Sequence, residues 1–320
     1  MRLGIILLTA ILMAIAVTAN AQENLSIANA LNSSALKEII LSSTIKPETY
    51  ILTLDMNQKI EITNVTETNK TDSQSISTRS FGVAALNLSA MAMKTALVTL
   101  AMPEGQEENA SVLATEIYLM NDTMYMKVDG NWTRIMLAGP SLKTLWKQEN
   151  EIERQREELN NSTITLLGYE NISGIDCYKM KVIPNLKAYS AIEEGYNIGV
   201  QGSLADSPAT SNLNLSILFN NTDISEIVWI AKDTLLPVKI DISMNMALSP
   251  EQLGIPPNEA GDLKMAINTS EIATFSGFNR SISIVLPEDA RNAAAFPSSI
   301  FILGNSSSMN STDINATQMQ

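Results

Sequence analysis

Tyr50-Ile51-Leu52-Thr53-Leu54-Asp55-Met56-Asn57-Gln58-Lys59-Ile60-Glu61-Ile62-Thr63 is the stretch from which the fold is read. Its even positions are Tyr, Leu, Leu, Met, Gln, Ile and Ile, and from Thr53 onward every odd position is polar or charged. Strand side chains alternate between two faces, so a period of two held this long predicts one strand, apolar on one face and wet on the other. A helix would scatter the same residues around its circumference. The usual strand has about five or six residues, so one this long is expected to curve.

The theme recurs downstream. Leu236, Val238, Ile240, Ile242, Met244, Met246 and Leu248 mark a second long strand. Between residues 115 and 136, Ile117 and Leu119 precede the turn pair Asn121-Asp122, and Met124, Met126 and Val128 lead to Asp129-Gly130, a strong hairpin signal. Thr163 to Tyr169 and Cys177 to Ile183 form a further pair around Asn171-Ile172-Ser173-Gly174. Leu213, Leu215, Ile217 and Phe219 alternate, Ile227 to Ala231 leads into the Lys232-Asp233 turn, Leu263 to Ile267 and Ile272 to Phe275 read as two parts of one strand, and Ser283 to Leu286 as a last short one. The polar stretch Thr66 to Ser80 reads as a connection. Val83 to Met102 switches parity between Leu88 and Met91, which predicts a long strand with a bulge near Ser89; its Ala and Met content leaves a helix as the competing reading.

The best helix opens at Pro140-Ser141, carries Leu142, Leu145, Trp146, Ile152 and Leu159 near one face, and ends at Asn160-Asn161. Residues 186–194 suggest a short helix, 195–210 and 249–262 loops, and Pro287-Glu288-Asp289-Ala290 a final helix start with acids at the positive end of the dipole. The fold class is α+β: one continuous antiparallel sheet with few helices, without an internal domain boundary.

Composition narrows the chemistry. The 320 residues carry a net charge of −13, which repels nucleic acid, and contain no histidine, which removes imidazole as base, nucleophile or ligand. The single cysteine, Cys177, forms no internal disulfide and no cysteine zinc cluster; in a strand it reads as a small hydrophobe. A hydrophobic fraction of 45% supports a sizeable core. The acid pairs Glu107-Glu108, Glu157-Glu158 and Glu193-Glu194 read as solvated surface, because catalytic carboxylates need environments that push their pKa values apart. There is no phosphate loop and no EF-hand calcium loop, so no catalytic residue, metal ligand or cofactor is assigned and an enzyme is not expected.

At the start, Arg2, an apolar run from Leu3 to Val17 and Ala19-Asn20-Ala21 form a secretory signal, residues 1–21, with cleavage expected after Ala21; the alternative is retention as an anchor. No cysteine follows that could carry a lipid. Residues 22–300 are expected to form the single domain and 301–320 a disordered polar tail. Acceptor triplets Asn-x-Ser/Thr occur at Asn24, Asn32, Asn64, Asn69, Asn87, Asn109, Asn121, Asn131, Asn160, Asn161, Asn171, Asn214, Asn220, Asn268, Asn279, Asn305, Asn310 and Asn315. Random placement at this composition gives roughly five or six under the same rule. The excess points to a glycosylated exterior, although a chain merely rich in Asn, Ser and Thr would also raise the number.

Four segments taken in order carry a resemblance: Met124 to Trp132, ending in Gly130-Asn131-Trp132; Leu167-Gly168-Tyr169-Glu170 through Gly174 to Cys177-Tyr178; Trp229 through Leu236-Pro237-Val238-Lys239; and Leu286-Pro287-Glu288-Asp289-Ala290. Over about Lys46 to Ala290 the chain resembles exported proteins of the LolA-like and LppX/LprG-like superfamily. The resemblance implies an open half-barrel of long antiparallel strands with helices covering the concave face, and a cavity there that holds lipid or another apolar ligand. On that reading Leu52, Leu54, Met56, Ile60, Ile62, Met124, Met126, Val238, Ile240, Ile242, Met244 and Met246 line the sheet side, and Leu142, Leu145, Trp146 and Ile152 face them. The methionines suit an adaptable apolar site and equally suit plain core filling. Two functions follow: a secreted, glycosylated cell-envelope protein that binds an apolar, lipid-like ligand, with membrane or envelope proteins as peripheral contacts; or a non-catalytic structural or interaction glycoprotein of the envelope with a fully packed core.

Overall fold

The computed structural model describes residues 32–65, 71–105, 110–128, 130–136, 150–186, 222–249 and 264–295. In chain order their elements are α1 (Ser33–Ser42), β1 (Thr49–Val65), β2 (Thr71–Asn87), β3 (Ala92–Pro103), β4 (Ser111–Met120), β5 (Thr123–Val128), β6 (Asn131–Met136), α2 (Glu151–Asn161), β7 (Thr163–Ile172), β8 (Ile175–Ile183), β9 (Thr222–Ala231), β10 (Pro237–Leu248), β11 (Lys264–Ser276), α3 (Glu288–Arg291) and β12 (Ala294–Ala295). The strands make one sheet in the order β12-β6-β5-β4-β3-β2-β1-β11-β10-β9-β8-β7. Two meanders, β1 to β6 and β7 to β11, run away from each other and are joined where β11 pairs with β1. Every pairing is antiparallel except β12 on β6. The two ends of the order do not pair, so the sheet is an open, curved half-barrel, as expected.

β1 is a strand of 17 residues, with its even positions turned to one face as the opening stretch requires. Three expectations are corrected. From Thr71 on, the polar stretch is not a connection: β2 pairs with β1 from Thr71 to Asn87, because ladder hydrogen bonds come from the backbone and tolerate Ser and Thr side chains. The parity switch after Leu88 is a hairpin turn, not a bulge and not a helix. Asn87 Oδ1 accepts from the Ala90 N–H at 3.0 Å, Met91 sits at φ 46°, and β3 returns along β2. Ser283 to Leu286 is not a strand; it runs as irregular chain to the short α3 that the sequence anticipated.

The helix expected from Pro140 is present as α2 from Glu151; its earlier turns, with Leu142, Leu145 and Trp146, lie outside the described residues, as do the segments 187–221 and 250–263. Asn150 caps α2 by accepting from the Glu153 N–H at 3.4 Å, and Glu151 and Glu153 sit in its first turn, where the helix dipole favours negative charge. α1 was not anticipated. It is capped by Asn32, whose Oδ1 accepts from the Ala35 N–H at 2.7 Å, and it buries Leu36 and Ile40. Lys37 Nζ donates to the Ser162 carbonyl at 2.8 Å and the Leu166 N–H donates to Ser33 Oγ at 2.9 Å, tying α1 to the end of α2 and to β7. At the far edge, Trp132 Nε1 donates to Asp289 at 2.8 Å and holds α3 beside β6.

Gly82 sits in β2 opposite Leu54 and Leu97, where a Cβ would meet the Ala96 carbonyl oxygen at 2.4 Å. Backbone cannot yield as a side-chain tip can, so β2 and β3 would have to part. Gly82→Ala is expected to cost about 1–3 kcal/mol in urea unfolding; an unchanged midpoint would show that the two strands separate freely.

Candidate functional site

Both helices pack on the face of β1 that carries its even positions, here the inner face. The registers set that face out in rows across the sheet. One row reads Met180 (β8), Val228 (β9), Ile240 (β10), Ala273 (β11), Leu54 (β1), Gly82 (β2) and Leu97 (β3). With Tyr50, Phe275 and Ile230 it forms an apolar cluster closed by Leu36 and Ile40 of α1 and Ile152 and Leu159 of α2. Tyr50 is fixed at the polar end as well, its hydroxyl accepting from the Glu151 N–H at 3.1 Å. Toward the other end of the strands, Ile60, Met244, Met246, Leu248 and Ile267, with Ile62 and Met265 against them, form a second apolar cluster built from strand residues alone.

Between the two clusters the inner face turns polar. The next row reads Val182, Glu226, Ile242, Glu271, Met56, Ser80 and Thr99, and the one after it Ile224, Met244, Thr269, Gln58 and Thr78. Rows on one face are about 7 Å apart, so the belt is narrow. Above it, α2 turns Gln155 and Glu158 inward with Ile152 and Leu159. Some of these groups satisfy one another: Ser80 Oγ and Thr99 Oγ1 share a hydrogen bond of 2.9 Å, and Gln58 Nε2 donates to Thr269 Oγ1 at 3.2 Å. Others have no hydrogen-bond partner among the described residues: Gln58 Oε1, Thr78 Oγ1, Gln155 Oε1, both carboxyl oxygens of Glu158 and of Glu226, and Glu271 Oε2. Glu226 is fully buried and Glu158 is 3% exposed.

Burial, with Arg154 opposing it, sets the protonation. Glu271 is pushed up to about 8, by burial first and then by the charge of Glu151, with Arg154 opposing. Burial and then the neighbouring Glu158 raise Glu226 well above the ordinary carboxylate range, and burial raises Glu158 as well. Arg154 does not neutralise the group, since its guanidinium is engaged by Glu151 in the same helix at 2.7 Å.

The ligand-lining residues expected from the sequence are largely brought together. Leu52, Leu54, Met56, Ile60, Ile62, Ile240, Ile242, Met244 and Met246 share the inner face of β1 and β10, Ile152 meets them from α2, and Met124 and Met126 lie half-buried on the same face of β5. Val238 does not join them. The register of β10 on β9 shifts between Pro237 and Lys239, and Val238 packs on the other face with Cys177, Trp229 and Ala231. The reading of Glu157-Glu158 as solvated surface is corrected, because Glu158 is buried against Glu226. The other acid pairs lie outside the described residues. Glu226, Glu271, Gln58 and Gln155 were not singled out, although each interrupts an apolar periodicity.

The outer face carries ion pairs such as that of Arg79, which donates to both oxygens of Asp55 at 3.1 and 2.7 Å. Burial pushes the Cys177 thiol up and leaves it protonated. An open cleft of about 430 Å³ beside the start of α2, lined by Lys46, Glu48, Ser89, Glu153 and Arg156 among others, shares only Ile152 with the lining expected above. Sequon residues Asn32, Asn121, Asn131, Asn160, Asn161, Asn171, Asn268 and Asn279 are exposed and Asn87 is half-buried. Among the described residues no group of three or more Cys, Asp or Glu is arranged to hold a metal, and no helix is long and apolar enough to cross a membrane.

No protein-family model matches the sequence, and no curated protein matches it. Among solved structures, the chain is similar to the lipoprotein LppX of Mycobacterium tuberculosis at 13% identity, covering 78% of this chain and 97% of that one with a TM-score of 0.37. It is similar to LprF of Mycobacterium bovis at 14% identity, covering 80% and 98% with a TM-score of 0.36. A LolA superfamily protein of Nitrosomonas europaea is similar at 8% identity, covering 80% and 96% with a TM-score of 0.19. These belong to the group that the sequence motifs resemble; the fold itself is defined by the sheet and its registers.

Proposed function

We propose that this chain is a binding protein of the cell exterior that holds an apolar, lipid-like ligand on the inner face of its half-barrel and performs no covalent chemistry. The observation that carries the reading is the second apolar cluster. Met244, Met246 and Met265 lie there with Ile60, Ile62, Leu248 and Ile267 on three neighbouring long strands, beyond the helix-packed core, and among the described residues the cluster holds strand residues alone. A continuous apolar floor rich in flexible thioethers can follow an acyl chain as it bends.

Export and glycosylation belong to the same proposal. Residues 1–21 have the order of a secretory signal, and no sequon asparagine among the residues with described side chains is buried. Sugar on those positions would keep a chain with this much sheet solvated.

The test is to purify the mature protein gently from its native host, extract it with organic solvent and weigh what is released. A stoichiometric lipid is expected. A clean extract from protein that is still folded would favour the packed structural glycoprotein instead.

A further inference from the structure

The polar belt is the least economical part of the inner face for a plain lipid site, and its orphaned atoms share one property. All are oxygens: Gln58 Oε1, Gln155 Oε1, Thr78 Oγ1 and carboxyl oxygens of Glu158, Glu226 and Glu271. Protonated, the glutamates can use their own O–H groups as donors; ionised, they leave the belt with more acceptors than donors among the described residues. Gln58 is 2% and Gln155 4% exposed, so neither reaches bulk solvent to find a donor. A buried acceptor left unmade is costly, and a carboxylate more so. The charged and titratable groups converging here are Glu226 from β9, Glu271 from β11, and Glu151, Arg154 and Glu158 from α2; the inner positions of β1, β2, β8 and β10 alongside, Gln58, Thr78, Val182 and Met244, carry no charge. With Arg154 and Glu151 paired, the excess is anionic.

Resting on the apolar-ligand reading above, we infer that this belt is the headgroup site of the cavity, and that it takes a primary ammonium group carried on an apolar chain, with Glu226 and Glu271 as the charge partners and Gln58 and Gln155 as further acceptors. An ammonium supplies three donor hydrogens and one positive charge, which is what the ionised belt lacks. The two apolar clusters on either side hold the chain. In the free protein the carboxyl groups keep their protons, consistent with the raised Glu271. A bound ammonium favours their ionised forms, so binding releases protons to solvent.

The experiment is isothermal titration of the purified, delipidated protein at pH 7 with dodecylamine, dodecanol and dodecanoate, each below its micelle concentration and in buffers of different ionisation heat. The amine is expected to bind at least about tenfold tighter than the alcohol, with the carboxylate weakest, and to release protons that the alcohol does not. Glu226→Gln and Glu271→Gln should each bring the amine close to the alcohol, and thermal unfolding verifies that both variants are folded. Equal binding of amine and alcohol, or an amine preference that survives in both variants, overturns the headgroup assignment and leaves the apolar cavity standing. Failure of all three chains to bind overturns both.

Discussion

Raising the pH from 5 to 8 is expected to weaken this protein, and Glu271→Gln to remove much of that loss. The folded-state pKa of Glu271 is about 8 against an ordinary 4.5. Between those values the native state keeps a proton that the unfolded chain has released, so stability falls as pH rises, by about 1.4 kcal/mol per unit for one group. The contribution is fully present below about 4.5 and is lost as pH climbs through 8. By pH 7.5 the loss is on the order of 4 kcal/mol for Glu271 alone. Glu226, raised by burial and by Glu158, acts in the same direction. At the acid end the sign reverses. Asp55, held low by its hydrogen bonds from Arg79, contributes stability that is lost only as pH falls below the ordinary carboxylate range. A maximum near pH 5 follows, unusual for a chain whose exposed acids are paired. Glutamine keeps the shape of Glu271 without a titrating proton, so at pH 7.5 the variant should melt on the order of 5–10 °C higher than the parent. A flat profile between pH 5 and 8 in the parent, or the same slope in the variant, would show that Glu271 finds a cation or water when folded.

The same residues explain what could be read from the sequence and what could not. The strand at Tyr50 to Thr63 was legible because a two-residue period is local and its two faces differ in polarity. The strand at Pro237 to Leu248 was legible for the same reason, apart from Val238, where a register shift moves the side chain to the other face without any change in the one-dimensional pattern. β2 was missed over Thr71 to Ser80 because Gln74, Thr78 and Ser80 outnumber Ile76 at its inner positions; what holds it is a neighbour, β1, whose pairing no local pattern reveals. β11 was read as one strand from its two apolar ends, as it is. Its inner face is Met265, Ile267, Thr269, Glu271, Ala273 and Phe275, and the polar pair in the middle hides the period while outward-facing Ile272 suggests the wrong one. The signal of the polar belt was present: Gln58 stands inside an otherwise unbroken apolar series, and a polar residue in a sustained apolar period is either an error of register or a buried group with a task. That Glu158 meets Glu226 was not legible, because it depends on how α2 lies across the sheet.

Ile240→Glu combined with Met244→Glu is expected to abolish retention of the bound apolar ligand. The two positions flank Ile242 on the inner face of β10, one in the helix-packed cluster and one in the strand-only cluster. A chain running from the polar belt into either cluster must pass one of them. Each new carboxylate would stand two residues along the strand from the row of Glu226 and Glu271, in surroundings that already lack a free cation, so it would hold its proton or repel its neighbours. Each polar intrusion costs an apolar ligand roughly 2 kcal/mol or more, which for two sites is a loss of about a thousandfold in affinity. The outward-facing Asn245→Glu, on the same strand with the same change of charge at an exposed position, is expected to leave retention intact. Met244→Gln adds polarity without charge and should weaken retention by about tenfold while keeping the fold, as read from circular dichroism. The comparison separates a face from a strand. If Asn245→Glu and the double variant lose ligand equally, strand β10 matters only for stability; if both keep it in folded protein, the ligand lies somewhere other than the inner face.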